Sequence, residues 1–177
     1  MLAGVLAEFS IRISDVDEDA LTTTDPWETA IRLAEAKAQA VLNQNPNAIV
    51  IGGDTVVAYE GAEGWVQLSK PTSAAHAEQM LASLSGRTHV VISGYAVLSQ
   101  EVRIVDAETA RVTFRPLHSE EIEAYVKTGE PMDKAGGYGI QSGAAPFLAH
   151  LDGNINTVIG LPVAKIQAAL AQIAKQK

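Results

Sequence analysis

The chain has 177 residues, 47% of them hydrophobic, a formal net charge of -8 and no cysteine. That length fits one domain with a sizeable core, and the lack of cysteine excludes disulfides, thiolate metal sites and cysteine nucleophiles. The acidic balance argues against a broad nucleic-acid footprint but leaves room for a small polyanion held by a few lysines and a divalent cation.

Charged residues interrupt every apolar run before membrane-spanning length, and Met1–Ala7 carries no basic leader. A soluble, cytoplasmic protein without membrane or nucleic-acid partners is expected. In chain order, the first seven residues read as an apolar helix. Phe9, Ile11 and Ile13 alternate with polar neighbours and predict a strand. Asp15 to Asp19 is an acidic loop, and Thr22 to Asp25 is turn-like. Asp25, Pro26 and Glu28 form a helix start, with Ala30, Ile31, Ala34, Ala38, Val41 and Leu42 on one face. Ala48 to Ile51 predicts a buried strand running into Gly52-Gly53-Asp54, continued by Val56 to Ala58.

Gly61 to Gly64 reads as a hairpin loop with Trp65 to Leu68 returning. Thr72 or Ser73 caps a helix with Ala77, Met80, Leu81 and Leu84 inward, and Ser85-Gly86-Arg87 turns the chain. Strands follow over His89 to Leu98 and Val102 to Phe114. A short helix runs from Ser119 toward Gly129. Phe147 to Leu151 predicts a last strand, and Leu161-Pro162 opens a helix with Val163, Ile166, Leu170 and Ile173 on one face. This order implies an α/β or α+β sheet with helices on both sides.

The stretch Asp133-Lys134-Ala135-Gly136-Gly137-Tyr138-Gly139-Ile140-Gln141 places charges, glycines and an amide in nine residues without a helix or strand period. Glycines let backbone bend and approach a ligand, so this is a candidate anion loop as well as an ordinary turn. Asp54, at an expected strand end, has the chemistry to bind Mg2+ or activate water, and also that of a turn aspartate. Lys70 precedes Pro71, which holds it extended; Lys70 and Lys134 suit a phosphate or simply solvent. Lys37, at the edge of an apolar helix face, snorkels or lines a site. Gln141 carries an amide able to read a base edge. Glu18 sits in an acidic run that is solvated or supplies a second metal ligand. His76, His89, His118 and His150 show no metal spacing and are assigned to structure or surface. No GxxxxGK[ST] loop or GxSxG elbow is present.

Taken together, seven segments in order resemble the Maf family of nucleoside triphosphate pyrophosphatases. They are Asp15–Glu18, Leu33–Ala38, Gly52–Val57, Lys70-Pro71, Leu84-Ser85-Gly86, Asp133–Gln141, and Gly160-Leu161-Pro162. The resemblance implies a two-lobed α/β fold of the inosine-triphosphate-pyrophosphatase type, a mixed sheet flanked by helices around a central cleft. It implies hydrolysis of a nucleoside triphosphate to the monophosphate and pyrophosphate with Mg2+, or with Mn2+ or Co2+, and a homodimer. Asp54 would be the catalytic proton acceptor, with Glu18 and Asp54 as metal ligands. Thr55 and Gln141 would set specificity, and Lys37, Lys70 and Lys134 would bind substrate phosphates. The loop ending Gly139-Ile140-Gln141 is similar to that of the dTTP/UTP branch, whereas the 7-methyl-GTP branch carries glutamate near the Gln141 position.

A catalytically weak nucleotide-binding regulator of septum formation is the alternative on the same fold. The family's opening strand and Ser-x-Ser-Pro-Arg-Arg loop have no counterpart in these residues. A single Maf-like domain over residues 1–177 lacking them is expected.

Overall fold

The computed structural model describes Gly4, Leu6 and residues 8–174. The expected first helix therefore falls mostly outside the described residues. Helices α1 (Glu18–Leu21) and α2 (Pro26–Gln44) precede strands β1 (Val50–Gly61) and β2 (Gly64–Leu68). Helix α3 (Ala74–Leu84), strands β3 (Thr88–Leu98) and β4 (Arg103–Phe114), and helix α4 (Ser119–Val126) follow. Tight 3-10 turns then lead to β5 (Leu148–Asp152), α5 (Ile155–Ile159) and α6 (Val163–Ala174). No helix among the described residues is long and apolar enough to cross a membrane.

The five strands form one sheet in the order β2-β1-β3-β4-β5, and every pairing is antiparallel. Helices and strands mix as the sequence implies. The β1–β2 and β3–β4 connections are too short for a parallel crossover. Side-chain alternation divides the sheet into two packed faces. Val56, Ala58, Val90 and Ile92 pack against Ala30 of α2 on one face. Val57, Val91, Val112 and Phe114 meet Leu81 of α3 and Tyr125 of α4 on the other. Helix α6 extends that second face through Ile166 against Tyr95 and Val97.

Local sequence explains the helix ends. The Asp25 carboxylate accepts from the Trp27 and Glu28 amides, and Pro26 occupies the first turn, where its missing N–H costs nothing. Ser73, of the two capping candidates, accepts from the His76 amide. The inward face of α2 also includes Leu33, while Ile31 and Val41 are only half-buried.

Three expectations are corrected. Residues 9–13 do not form a strand: Phe9, Ile11 and Ile13 are 46%, 81% and 96% exposed, and no described strand pairs with them. Alternation without a partner ladder or a covering layer does not hold a strand. The acidic loop contains a helical turn, because the Asp17 side chain caps α1 through the Ala20 amide. Gly52-Gly53-Asp54 is not a strand end; it lies inside a continuous β1. The glycines there answer to packing. A Cβ on Gly52 would stand 2.4 Å from the Ala34 carbonyl oxygen, and one on Gly94 2.1 Å from that of Ala30. Glycine within a strand marks this kind of close backbone approach as well as a turn.

Candidate active site

Because α2 lies so close on β1 and β3, Lys37, one turn beyond Leu33 and Ala34, reaches the middle of β1. Its Nζ stands 2.6 Å from Oδ1 of Asp54 and 2.7 Å from Oε1 of Glu18. Asp54 is opposite Gly94 in the β1–β3 ladder, so no side chain crowds it from that neighbour. The Asp54 side chain is 13% exposed. Burial pushes its carboxyl above the usual carboxylate range, against the pull of the Lys37 ammonium. Burial alone would lower the Lys37 ammonium, but hydrogen bonds to Asp54 and Glu18 outweigh it and hold the group above its ordinary value. The hydrogen bond from Lys37 holds Glu18 below the usual range. The charge of Lys70 acts on both carboxylates in the same direction.

Beside this triad opens a cleft of about 410 Å³ lined by Asp54, Thr55, Lys70, Lys134, Gln141 and Gly160, among others. That volume lies within the range of small-molecule sites. Strand β2 ends its pairing at Val57–Leu68, so residues 50–56 of β1 have β3 on one side and no described strand on the other. The glycine loop closes over this stretch. The Gly136 amide donates to the Ser69 carbonyl at 3.1 Å, tying the loop to the segment that carries Lys70. A Cβ on Gly136 would sit 2.9 Å from Val57 Cγ1, and its φ of +71° suits glycine. Lys134 Nζ donates to Asp133 Oδ1 at 2.6 Å and to the Glu130 carbonyl at 3.0 Å.

Thr55 points to the other face of β1 from Asp54, and its Oγ1 is 3.2 Å from Ser93 Oγ. Ser93 donates to the Thr157 carbonyl at 2.7 Å, and the Thr157 hydroxyl donates to Glu108 at 2.7 Å. This chain fixes the α5 end, where Gly160 (φ +114°) passes so close that a Cβ would be 2.9 Å from Thr55 Oγ1.

The fold thus gathers all seven residues singled out in the sequence. Asp54, Thr55, Lys70, Lys134 and Gln141 line the cleft, and Lys37 and Glu18 join Asp54 at its side. Among the described residues no group of three or more histidine or carboxylate side chains forms a ready metal cage. The four histidines stay out of the cleft: His89, buried, hydrogen-bonds Tyr138 at 2.8 Å. Sequence reasoning missed Tyr125, Glu130 and Ser142, which hold the cleft loop. The only local hint was Glu130 between Gly129 and Pro131, a setting that gives a side chain a fixed direction.

The Maf family profile, described as Maf-like protein, matches residues 1–173. The chain belongs to the Maf family. Among curated Maf relatives it is 43% identical over 172 residues to a dTTP/UTP pyrophosphatase of Symbiobacterium thermophilum, covering 97% of this chain and 87% of that one. It is 41% identical over 171 residues to proteins of the same description from Bacillus cereus strain AH820 and from Bacillus anthracis, covering 97% of this chain and 86% of each relative.

Proposed function

We propose that this Maf protein is a nucleoside triphosphate pyrophosphatase that hydrolyses dTTP and UTP to the monophosphate and pyrophosphate. The observation that carries the reading is the poised carboxylate of Asp54, largely buried, bonded to Lys37, and opening on a cleft lined by Lys70 and Lys134. The names of relatives above 40% identity supply the substrate pair.

In this reading a water attacks the α-phosphorus. The bond from that phosphorus to the α,β-bridging oxygen breaks, and its electron pair leaves with pyrophosphate. Asp54 accepts the water proton; its raised affinity for a proton suits that role. Lys70 and Lys134 bind the substrate phosphates, offsetting their charge in the bound nucleotide as well as in the transition state. Lys37 orients the Asp54 carboxylate. Thr55 and Gln141 contact the nucleoside side of the substrate.

Lys37 takes one oxygen of each carboxylate, and the remaining oxygens of Glu18 and Asp54 would be the protein's donors to Mg2+, a cation that needs only one or two protein carboxylates. When bound, the cation supplies Lewis-acid stabilisation of phosphoryl oxygens. Mn2+ and Co2+ suit the same donors. A cytoplasmic homodimer acting on free nucleotides belongs to this reading, supported by the family membership.

The test is pyrophosphate release from dTTP, UTP, CTP, ITP and 7-methyl-GTP with Mg2+, using the protein and Asp54→Asn. Turnover of dTTP and UTP that Asp54→Asn loses is the expected result. Preference for 7-methyl-GTP overturns the substrate assignment. Nucleotide binding without turnover identifies a binding protein instead.

A further inference from the structure

The segment 139–143 carries Gln141 at its centre and is fastened at both ends to one pair of side chains. At the near end, the Gly139 amide donates to the Tyr125 hydroxyl at 3.0 Å. At the far end, the Gly143 amide donates to Oε2 of Glu130 at 3.1 Å. The Tyr125 hydroxyl in turn donates to Oε1 of Glu130 at 3.0 Å, and the Ser142 hydroxyl donates to the same oxygen. The Glu130 carbonyl receives Lys134 Nζ at 3.0 Å. One residue therefore grips the Gln141 loop through its carboxylate and Lys134 through its backbone.

The anchor is rigid. Tyr125 is a buried residue of α4, its ring edge-on to Phe147 with centroids 5.4 Å apart. Glycine at both ends lets the loop sit this close on the pair. A Cβ on Gly139 would lie 2.7 Å from Glu130 Oε1, and one on Gly143 2.8 Å from the Tyr125 ring. The hydrogen bonds Glu130 receives outweigh its partial burial and keep its carboxyl below the ordinary range, so it stays an acceptor at neutral pH.

We propose that Glu130 and Tyr125 are a positioning pair that sets Gln141 and Lys134 in the cleft for nucleotide binding. Neither lines the cleft itself; they bond Lys134, Gly139 and Ser142, which do, so they act through the residues they hold. The proposal rests on the pyrophosphatase reading for its kinetic consequence and on geometry alone for the clamp. The clamp acts on ground-state binding, so its loss appears in KM more than in kcat.

The experiment compares the protein with Glu130→Gln and Tyr125→Phe, two near-isosteric changes chosen to keep the fold. Amide hydrogen exchange is read across the chain, and KM and kcat are read for dTTP and UTP. The expected result is exchange in 139–143 at least tenfold faster in each variant while β1 and β3 are unchanged. KM rises at least fivefold, and kcat moves less than threefold. Unchanged exchange in 139–143 overturns the proposal. So does faster exchange spread equally over the sheet, or a fall in kcat at constant KM. A wild-type chain that turns over no nucleotide overturns the pyrophosphatase reading, and the exchange data then decide the clamp on their own.

Discussion

Lys37 Nζ lies 2.6 Å from Asp54 Oδ1 and 2.7 Å from Glu18 Oε1, so one helical ammonium holds two carboxylates at the edge of the cleft. Removing it leaves two like charges facing each other. Lys37→Met should lower stability by roughly 1–3 kcal/mol, less than for a fully buried pair because all three groups keep some exposure. Asp54→Asn should cost less than that or stabilise. The double variant should be less destabilised than the sum of the two. Thermal denaturation without nucleotide measures all three.

Asp54→Asn should reduce pyrophosphate release by about 10²- to 10⁴-fold, the range for a lost general base. Lys70→Ala and Lys134→Ala should each raise KM about 10- to 100-fold through a lost charge-assisted phosphate contact. Gln141→Ala should change the ratio of kcat/KM between pyrimidine and purine nucleotides by about tenfold, with the rate on the best substrate less affected. Steady-state kinetics over the nucleotide panel check each.

Chelation should abolish turnover, and Mg2+ should restore it. Glu18→Gln should raise the Mg2+ concentration for half-maximal activity about tenfold, because one of two anionic donors becomes neutral. A Mg2+ titration of both proteins at saturating nucleotide gives the answer.

His89 is fully enclosed, with Nε2 on the Tyr138 hydroxyl and Nδ1 without a hydrogen-bond partner among the described residues. Burial lowers its pKa from 6.5 to about 4. The unfolded chain therefore binds a proton that the folded chain refuses between those values. Stability is complete above pH 6.5 and falls as pH drops toward 4, by about 3 kcal/mol in all from this group. His89→Gln should flatten that part of the curve of unfolding free energy against pH.

Gly94→Ala should destabilise by about 3 kcal/mol or more, since the added methyl meets the Ala30 backbone and no side chain can yield. Gly129→Ala meets nothing within 4 Å but keeps a φ of +77°, and should cost roughly 1–2 kcal/mol. Circular dichroism melts of the two variants separate steric from conformational glycine.

Features set by near neighbours in the chain were legible in advance. Asp25 with Pro26, and Ser73 before Ala74, mark helix starts by local hydrogen bonding, and the structure places both there. The cleft residues were legible as a set because seven short segments keep their order. The strand was misread as ending at Gly52-Gly53 because glycine signals either a turn or a close backbone approach, and only the seating of α2 on Gly52 and of Leu161 beside Gly53 distinguishes them. Glu130 was missed because its partners Ser142 and Gly143 lie 12 and 13 residues away and nothing near it announces them. The alternation of Phe9, Ile11 and Ile13 suggested a strand, but a ladder needs a partner that their own sequence cannot specify.

Asp54 sits mid-strand, bonded to β3 on one side and backed by α2, whereas Gln141 and Lys134 ride on short turns pinned at a few points. The two halves of the cleft therefore differ in how freely they can be rewritten. On the proposed reading, in which Gln141 contacts the nucleoside, exchanging the 130–143 segment for a relative's is expected to alter which base is read while leaving the bond-breaking wall in register. Any comparable change in β1 would disturb the sheet itself. The share of selectivity that this reading gives to Gln141 is therefore open to redesign one turn at a time, whereas the shares of Thr55 and Asp54 are bound to the sheet.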